Sequence, residues 1–148
     1  EPLVEGVADY QSDLENGASL DLPMVCCNPD RIVHFGARTA VCAGALADVY
    51  EEHGGRVIWV GKPYPLVFRM ALDALGVPAE RALMIGDSLR TDVAGAAAVG
   101  IDCLLTASGL HGQDLPLDAT GRPGAEAVAA LAEAADAAPN YVIADLGW

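Results

Sequence analysis

The residues of this sequence that can do chemistry lie in two short segments. Gly86 to Ala96 reads GDSLRTDVAGA and carries carboxylates at Asp87 and Asp92, while Gly61-Lys62-Pro63 contains the single lysine of the chain. Two carboxylates close together repel each other, and a hard cation such as Mg²⁺ relieves that repulsion by binding their oxygens. An ammonium beside them can neutralise a phosphate oxygen. These residue types are typical of a site for a metal-bound phosphoryl group.

Each of these residues also has a purely structural interpretation. Asp92 falls in the first turn of a predicted helix, where the helix dipole favours an acid. Lys62 beside two acids can be an ordinary surface ion pair, and Ser88 can either donate to a phosphate or cap the turn. The spacing of Asp87 and Asp92 alone is therefore weak evidence for a site. Their position where a strand ends and a helix begins strengthens it.

After residue 55, short apolar runs alternate with segments whose apolar residues recur at helical spacing, and this pattern predicts the strands and helices that position these residues. Strands are predicted at 56–60, 82–85, 102–106 and 141–143, with helices at 66–75, 91–99 and 124–137. Strands separated by helices imply right-handed crossovers and a parallel sheet. We therefore expect a Rossmann-like α/β fold with helices on both faces. Lys62 and Asp87, each following a strand, should meet at the carboxyl edge where such sheets bind ligands.

The first 55 residues show a less regular pattern. A strand is predicted at 23–28, a helix at 39–53 and the end of a helix at 9–16. These elements suggest part of a second α/β layer with too few strands to be stable alone. We therefore divide the chain into a partial domain, 1–55, and the main domain, 56–148.

Composition narrows the class of protein. The 148 residues are 53% hydrophobic and carry a net charge of −13, which opposes binding to nucleic acid or to an anionic membrane surface. The four cysteines form no C-x-x-C pair and are expected to be reduced thiols. No apolar run is long enough to cross a bilayer, and the first residues lack the pattern of a signal peptide, so the predicted location is cytoplasmic.

In combination, the motifs closely resemble the haloacid dehalogenase-like superfamily of phosphohydrolases. The resemblance rests on GKP, a helix, a strand ending in GDSLRTDVAGA, and a further strand leading into a glycine-containing loop. Asn28-Pro29-Asp30 after an apolar strand is similar to the branch with a large α/β cap, the nitrophenylphosphatase-like or nucleotide-phosphatase-like branch. The resemblance implies that residues 1–55 are a remnant of that cap and that 56–148 belong to the core.

The resemblance also implies roles for individual residues. Lys62 would be the lysine that steadies the phosphoryl group and the nucleophile. Asp87 would be a Mg²⁺ ligand, and Asp92 the companion acid that binds the metal or its waters. Asn28 and Asp30 would lie on the cap near the leaving group. The expected substrate is a small phosphorylated metabolite, hydrolysed through an aspartyl-phosphate intermediate.

One departure from the family pattern is serious. The chemistry of the family depends on an Asp-x-Asp after the first core strand, and this chain contains none. Asp9 and Asp13 have a different spacing, and Asp145 has no helix after it. We therefore expect that the amino-terminal core strand, its nucleophile and most of the cap are absent, so that this chain alone is inactive.

Two other classes of function stay open. One is a phosphoacceptor-receiver module, although receivers place their lysine after the acids and here Lys62 comes before them. The other is a divalent-ion or phosphate-binding domain without catalysis. Oligomeric state is also open, although a sheet lacking its first strand should expose apolar edges that favour a homo-oligomer.

Overall fold

The computed structural model describes residues 6–35, 38–112 and 114–147. The chain forms two compact units, Glu1–Gly61 and Lys62–Trp148. The division thus falls after Gly61 and not after residue 55, so that the strand Arg56–Trp59 belongs to the first unit. The assignment of the two parts to a cap and a core is not tested by this division and stays a prediction.

The first unit contains two helices and two pairs of strands. Its helices are α1 (Gln11–Ser19) and α2 (Ala43–Glu52), and its strands are β1 (Pro23–Cys26), β2 (Ile32–Phe35), β3 (Arg38–Val41) and β4 (Arg56–Trp59), with a 3₁₀ turn at Val7–Tyr10. β1 and β4 are parallel, and β2 and β3 are antiparallel. Tyr50 of α2 is buried and donates its hydroxyl to the carbonyl of Leu22, 2.5 Å away, which ties the helix to the segment before β1.

The hairpin of β2 and β3 is absent from the sequence prediction, which begins a helix at Thr39. The helix begins at Ala43, and Thr39 pairs with His34 in the antiparallel ladder. Cys42 extends this pairing by donating its amide to the carbonyl of Arg31 at 2.9 Å. The β-branched Thr39 and Val41 favour a strand, and pairing with β2 outweighs the helical stripe read from the sequence.

The second unit contains a three-stranded parallel sheet, in the order β5-β6-β7. Its elements are α3 (Pro65–Leu75), a 3₁₀ turn (Ala79–Arg81), β5 (Leu83–Gly86), a π-helical turn (Leu89–Val93), α4 (Ala94–Ala97), β6 (Asp102–Thr106), α5 (Ala125–Ala135) and β7 (Tyr141–Ile143). Gly76 ends α3 in the left-handed conformation, with φ 64°. The α/β class and the parallel sheet are as predicted.

The core of this unit lies against one face of the sheet. Cys103 and Leu105 of β6 are buried on that face, where they pack with Phe68 of α3 and with Leu89 and Val93 of the π-helical turn. Residues on the other face alternate with them and are largely exposed, among them Leu83, Ile85, Tyr141 and Ile143. Parallel sheets normally bury both faces, so this apolar face is unusual.

The helix predicted at 91–99 takes a different form. The chain leaves β5 through Ser88, whose carbonyl accepts the amides of Asp92 and Val93 and whose hydroxyl accepts the amide of Thr91. A π-helical turn follows, and regular α-helix covers only Ala94–Ala97. This wider turn brings Asp92 under the end of β5, and such turns are common at functional sites.

Within the three described ranges, no helix has the length and apolar character needed to cross a membrane.

Candidate functional site

Asp92 is the centre of the site in the second unit. Its side chain is only 3% exposed, a rare state for an acid without partners. Its Oδ1 forms a salt bridge with the ammonium of Lys62. Its Oδ2 accepts the backbone amides of Asp87 and Ser88, at 3.1 and 3.2 Å. A single buried carboxylate therefore fixes both the lysine and the backbone that carries the second acid.

The close approach of Asp92 to the strand end depends on Gly86. A Cβ atom at this position would overlap the Asp92 carboxylate. Only glycine allows the π-helical turn to fold back so closely onto the last residue of β5. The glycine that precedes the acid in GDSLRTD thus has a steric role in the site.

Asp87 lies at the carboxyl end of β5 and packs against the loop 107–112. Its Oδ2 accepts the amide of Leu110 at 3.0 Å, and a Cβ at Gly109 would overlap its side chain. The backbone of this loop therefore orients one oxygen of the carboxylate. The other oxygen of Asp87, Oδ1, has no recorded hydrogen bond to any of the residues that the structure describes.

The structure brings the side chains of Lys62 and Asp92 into contact and places the backbone amides of Asp87 and Ser88 on Asp92, while the Asp87 carboxylate packs against Gly109 and Leu110. The roles assigned to these residues stay predictions. The strand that precedes Lys62, however, does not belong to the same sheet as the strand that precedes Asp87. The first of these strands, β4, pairs with β1 in the first unit, whereas the sheet of the second unit begins at β5. Ser88 uses its hydroxyl to accept the amide of Thr91 at 3.3 Å, which is the capping role, while its own amide donates to Asp92.

Asn28 and Asp30 lie in the first unit, on the loop after β1, and both are exposed. The Asn28 side-chain oxygen accepts the amide of Asp30 at 3.2 Å, and the Asp30 carbonyl accepts the amide of Gly44 at 3.0 Å. These bonds shape the turn between β1 and β2 and join it to the first turn of α2. The proposed contacts of Asn28 and Asp30 with substrate stay predictions.

His111 is a neighbour of the site that sequence reasoning missed. It lies on the loop that orients Asp87, and its Nε2 is 3.5 Å from the amide nitrogen of Leu89 at the start of the π-helical turn. Its Nδ1 is 3.6 Å from Asp114. The histidine thus links the loops that follow β5 and β6. A lone histidine without regular spacing carries no signal of such a role in the sequence.

The buried cysteines are poor candidates for the nucleophile. Burial raises the pKa of the Cys103 thiol to about 11, with a smaller contribution from the charge of Asp92. Burial also raises the pKa of Cys26. Both side chains are therefore protonated at neutral pH, and a thiol is a much weaker nucleophile than a thiolate.

The donor set offers only part of a metal site. Among the described residues, no group of three or more His, Cys, Asp or Glu side chains is close enough to hold a metal ion. Mg²⁺ requires six oxygen ligands in near-octahedral geometry, and it commonly takes one or two carboxylates with waters and substrate phosphate. Asp87, with one oxygen without a recorded partner, fits such a ligand. Asp92 already accepts three donors.

Comparison with known proteins gives the family. A family model described as HAD-hydrolase-like matches residues 59–148. The ribonucleotide monophosphatase NagD of Escherichia coli (strain K12) is 30% identical over 61% of this chain and 35% of its own length. The p-nitrophenyl phosphatase of Archaeoglobus fulgidus is 24% identical, with a TM-score of 0.72 over 93% of this chain and 49% of its own.

A haloacid dehalogenase-like hydrolase from Brucella suis 1330 is 41% identical, with a TM-score of 0.60 over 75% of this chain and 45% of its own. The chain thus spans about a third of the length of the E. coli relative and about half that of the two solved structures. The matched segment contains Lys62, Asp87 and Asp92, the residues that meet in the second unit. The chain belongs to the haloacid dehalogenase-like hydrolase superfamily, and the proteins to which it is similar include NagD and a p-nitrophenyl phosphatase.

Proposed function

We propose that this chain is the carboxyl-terminal part of a Mg²⁺-dependent phosphohydrolase that acts on a small phosphorylated metabolite through an aspartyl-phosphate intermediate. The observation that carries the proposal is the contact of Lys62 with Asp92, whose second oxygen holds the backbone of Asp87. Relatives named for ribonucleotide monophosphates, phosphoglycolate and dihydroxyacetone support a small phosphate ester as substrate.

Each residue of the site has a distinct role in this proposal. Lys62, whose side chain is 48% exposed, presents its ammonium to an oxygen of the phosphoryl group. Asp87 supplies the carboxylate oxygen that binds the metal. Mg²⁺ bound there would neutralise charge on the phosphoryl oxygens. We assign to Asp92 the positioning of Lys62 and Asp87, because its oxygens already accept three donors; its predicted role as a metal ligand is the less favoured alternative.

The bond-forming group is the part that this chain lacks. It contains no Asp-x-Asp, and Asp145, which accepts the Ser108 hydroxyl, follows β7, whereas Asp87 follows β5. We therefore place the attacking carboxylate outside these 148 residues. The chain by itself holds the groups that stabilise charge and should bind phosphate without hydrolysing an ester.

Two measurements on the 148-residue chain test this proposal. With Mg²⁺ and p-nitrophenyl phosphate, we expect no more phosphate release than from Asp87→Asn. With Mg²⁺ and inorganic phosphate, we expect amide NMR shifts at Lys62 and Asp87, which Lys62→Met abolishes. Arg69→Met, which removes an exposed cation from α3, is the matched control and should respond like the parent chain.

Three results would contradict the proposal. Hydrolysis by the chain that disappears in Asp87→Asn would show that the nucleophile is present after all. Absence of any phosphate response at Lys62 would show that the site does not bind a phosphoryl group. A response that survives Lys62→Met would show that the ammonium of Lys62 does not hold the phosphate.

A further inference from the structure

Two loops of the second unit hold each other through one hydrogen bond in each direction. The loop that follows β6 donates the amide of Leu110 to Asp87 Oδ2 at 3.0 Å. The loop that follows β5 donates the amide of Leu89 to Nε2 of His111 at 3.5 Å. Leu110 and His111 are neighbours in the sequence, so the two bonds together fix where the loop 107–112 lies on the end of β5. The roles assigned above to the charged side chains make no use of His111.

The Leu89 amide needs an acceptor because Leu89 is buried. The residue is 1% exposed, and a buried amide without a partner is strongly unfavourable. Leu89 begins the π-helical turn, and the first amides of a helical turn have no acceptor within the turn itself. The two amides before it, those of Asp87 and Ser88, bond to Asp92. His111 accepts the third amide of this row and so completes what Asp92 does for the first two.

An acceptor at Nε2 determines where the His111 ring carries its proton. A neutral imidazole has one nitrogen that donates and one that accepts, whereas an imidazolium only donates. Since Nε2 faces the Leu89 N–H group, the proton of the neutral ring belongs on Nδ1. Nδ1 is 3.6 Å from Oδ2 of Asp114, and a carboxylate there favours a proton on that nitrogen. Only 15% of the His111 side chain is exposed, so solvent has little access to the ring.

The position of the loop 107–112 decides which oxygen of Asp87 is open. Oδ2 accepts the Leu110 amide, and Gly109 packs against the same side chain. Oδ1 has no recorded hydrogen bond within the described ranges. Without an acceptor on His111, the Leu89 amide would need water, and the loop would have to move away from β5 to admit it. The Leu110 amide would then leave Asp87, and the carboxylate would be free to turn.

We propose that His111 is a positioning residue of the phosphoryl site, which acts as a neutral ring protonated on Nδ1 and holds the loop 107–112 so that Asp87 Oδ1 stays available to the metal. This assignment rests on the phosphohydrolase function proposed above. His111 acts through the amides of Leu89 and Leu110, and its role requires no contact of the ring with metal or substrate. Because the bond to His111 is long and indirect, its loss should weaken Mg²⁺ binding about three- to fivefold, less than the roughly 10- to 100-fold typical of groups bonded directly to a metal ligand.

The first test reads the ring directly and needs no variant. Long-range ¹H–¹⁵N NMR spectra of the 148-residue chain at pH 8 report which ring nitrogen of His111 carries the proton. We expect a proton on Nδ1 and none on Nε2. A proton on Nε2 would overturn the proposal, because that nitrogen could not accept the Leu89 amide.

The second test separates the acceptor of His111 from its volume. His111→Gln places a side-chain oxygen near the position of Nε2, whereas His111→Leu keeps the apolar volume and removes the acceptor. Mg²⁺ alone is titrated into each folded chain and followed at the amides of Asp87 and Leu110. We expect His111→Leu to bind about three- to fivefold more weakly than the parent, and His111→Gln to stay within about twofold of it. His53→Leu, which removes a partly exposed histidine of the first unit, is the matched control and should bind like the parent.

The outcomes distinguish the positioning role from the proposed function. Equal Mg²⁺ affinity in the parent and His111→Leu, or equal weakening in His111→Leu and His111→Gln, would refute the role of His111, while a phosphate response at Lys62 leaves the function standing. Absence of any Mg²⁺ response at Asp87 in the parent would refute the metal site, and the role of His111 with it. If His111→Leu does not fold, the ring proton and His111→Gln decide: a proton on Nε2 or a loss of affinity in His111→Gln refutes the proposal.

Discussion

The contact of Lys62 with Asp92 gives the sharpest prediction. Replacing Asp92 by Asn keeps the shape of the side chain and one oxygen that can still accept the amides of Asp87 and Ser88. It removes the charge, and with it the ion pair and half the strength of two charge-assisted hydrogen bonds. Asp92 is 2% exposed, whereas Lys62 is half exposed.

The magnitude follows from these exposures. Solvent around Lys62 limits the ion pair to about 1 kcal/mol, at the upper end of exposed pairs and well below the 3–5 kcal/mol for breaking a fully buried one. The weakened amide bonds add about 1 kcal/mol in total. Asp92→Asn should therefore lower the free energy of unfolding by about 2 kcal/mol. Lys62→Met should lower it by about 1 kcal/mol.

The assay is a double-mutant cycle on the 148-residue chain. Urea unfolding is followed through the amide NMR signals of the second unit, for the parent, Lys62→Met, Asp92→Asn and the double variant. We expect a coupling energy of about 1 kcal/mol, as for residues in direct contact. Asp73→Asn is the control, because loss of an acid near the carboxyl end of a helix should not reduce stability.

One result would refute the reasoning behind the site. If each single variant loses stability but the coupling energy is below about 0.3 kcal/mol, the two side chains act independently. Lys62 would then not be held by Asp92, and its place in the phosphoryl site would have no physical support.

Three further predictions concern other parts of the molecule. Gly109→Ala should displace Asp87 and weaken phosphate binding at least fivefold in an NMR titration; unchanged binding would contradict the close packing of the loop. At pH 8 the exposed Cys27 should react with a maleimide long before the buried Cys103. Between about pH 9 and 11 the free energy of unfolding should fall as pH rises, because the Cys103 thiol of the folded chain keeps its proton after that of the unfolded chain has lost it. Ile85→Lys, on the exposed sheet face, should reduce self-association in sedimentation experiments; a chain that is monomeric before the substitution would show that the face needs no copy to cover it.

Much of the second unit could be predicted from local patterns. Short apolar runs between helical segments predicted β5, β6 and β7, and Gly76 marked the end of α3. These features depend on residues near one another in sequence, where backbone preferences and burial act together. For the same reason the grouping of Asp87 with Asp92 was readable, since both belong to one strand, turn and helix.

Pairing between distant segments was less predictable. The apolar pattern of β4 predicts a buried strand, but its residues alternate between exposed and half-buried, and its partner is β1 and not β5. The pairing of β2 with β3 was missed because the predicted helix began at Thr39, four residues before the observed start at Ala43. The partner of a strand depends on packing over the whole unit, and the pattern of apolar residues within one strand does not show which partner that is.

The sequence by itself determined the class of fold, the family and the three charged side chains of the site, because these depend on residue type, order and spacing. Only the tertiary structure decided which groups each charged side chain contacts. It buried Asp92 and gave both of its oxygens to donors, left one oxygen of Asp87 without a recorded partner, and set His111 against the amide of Leu89. The physical reason is that the number of donors around a carboxylate depends on how distant segments pack, and that packing determines whether it can also bind a ligand.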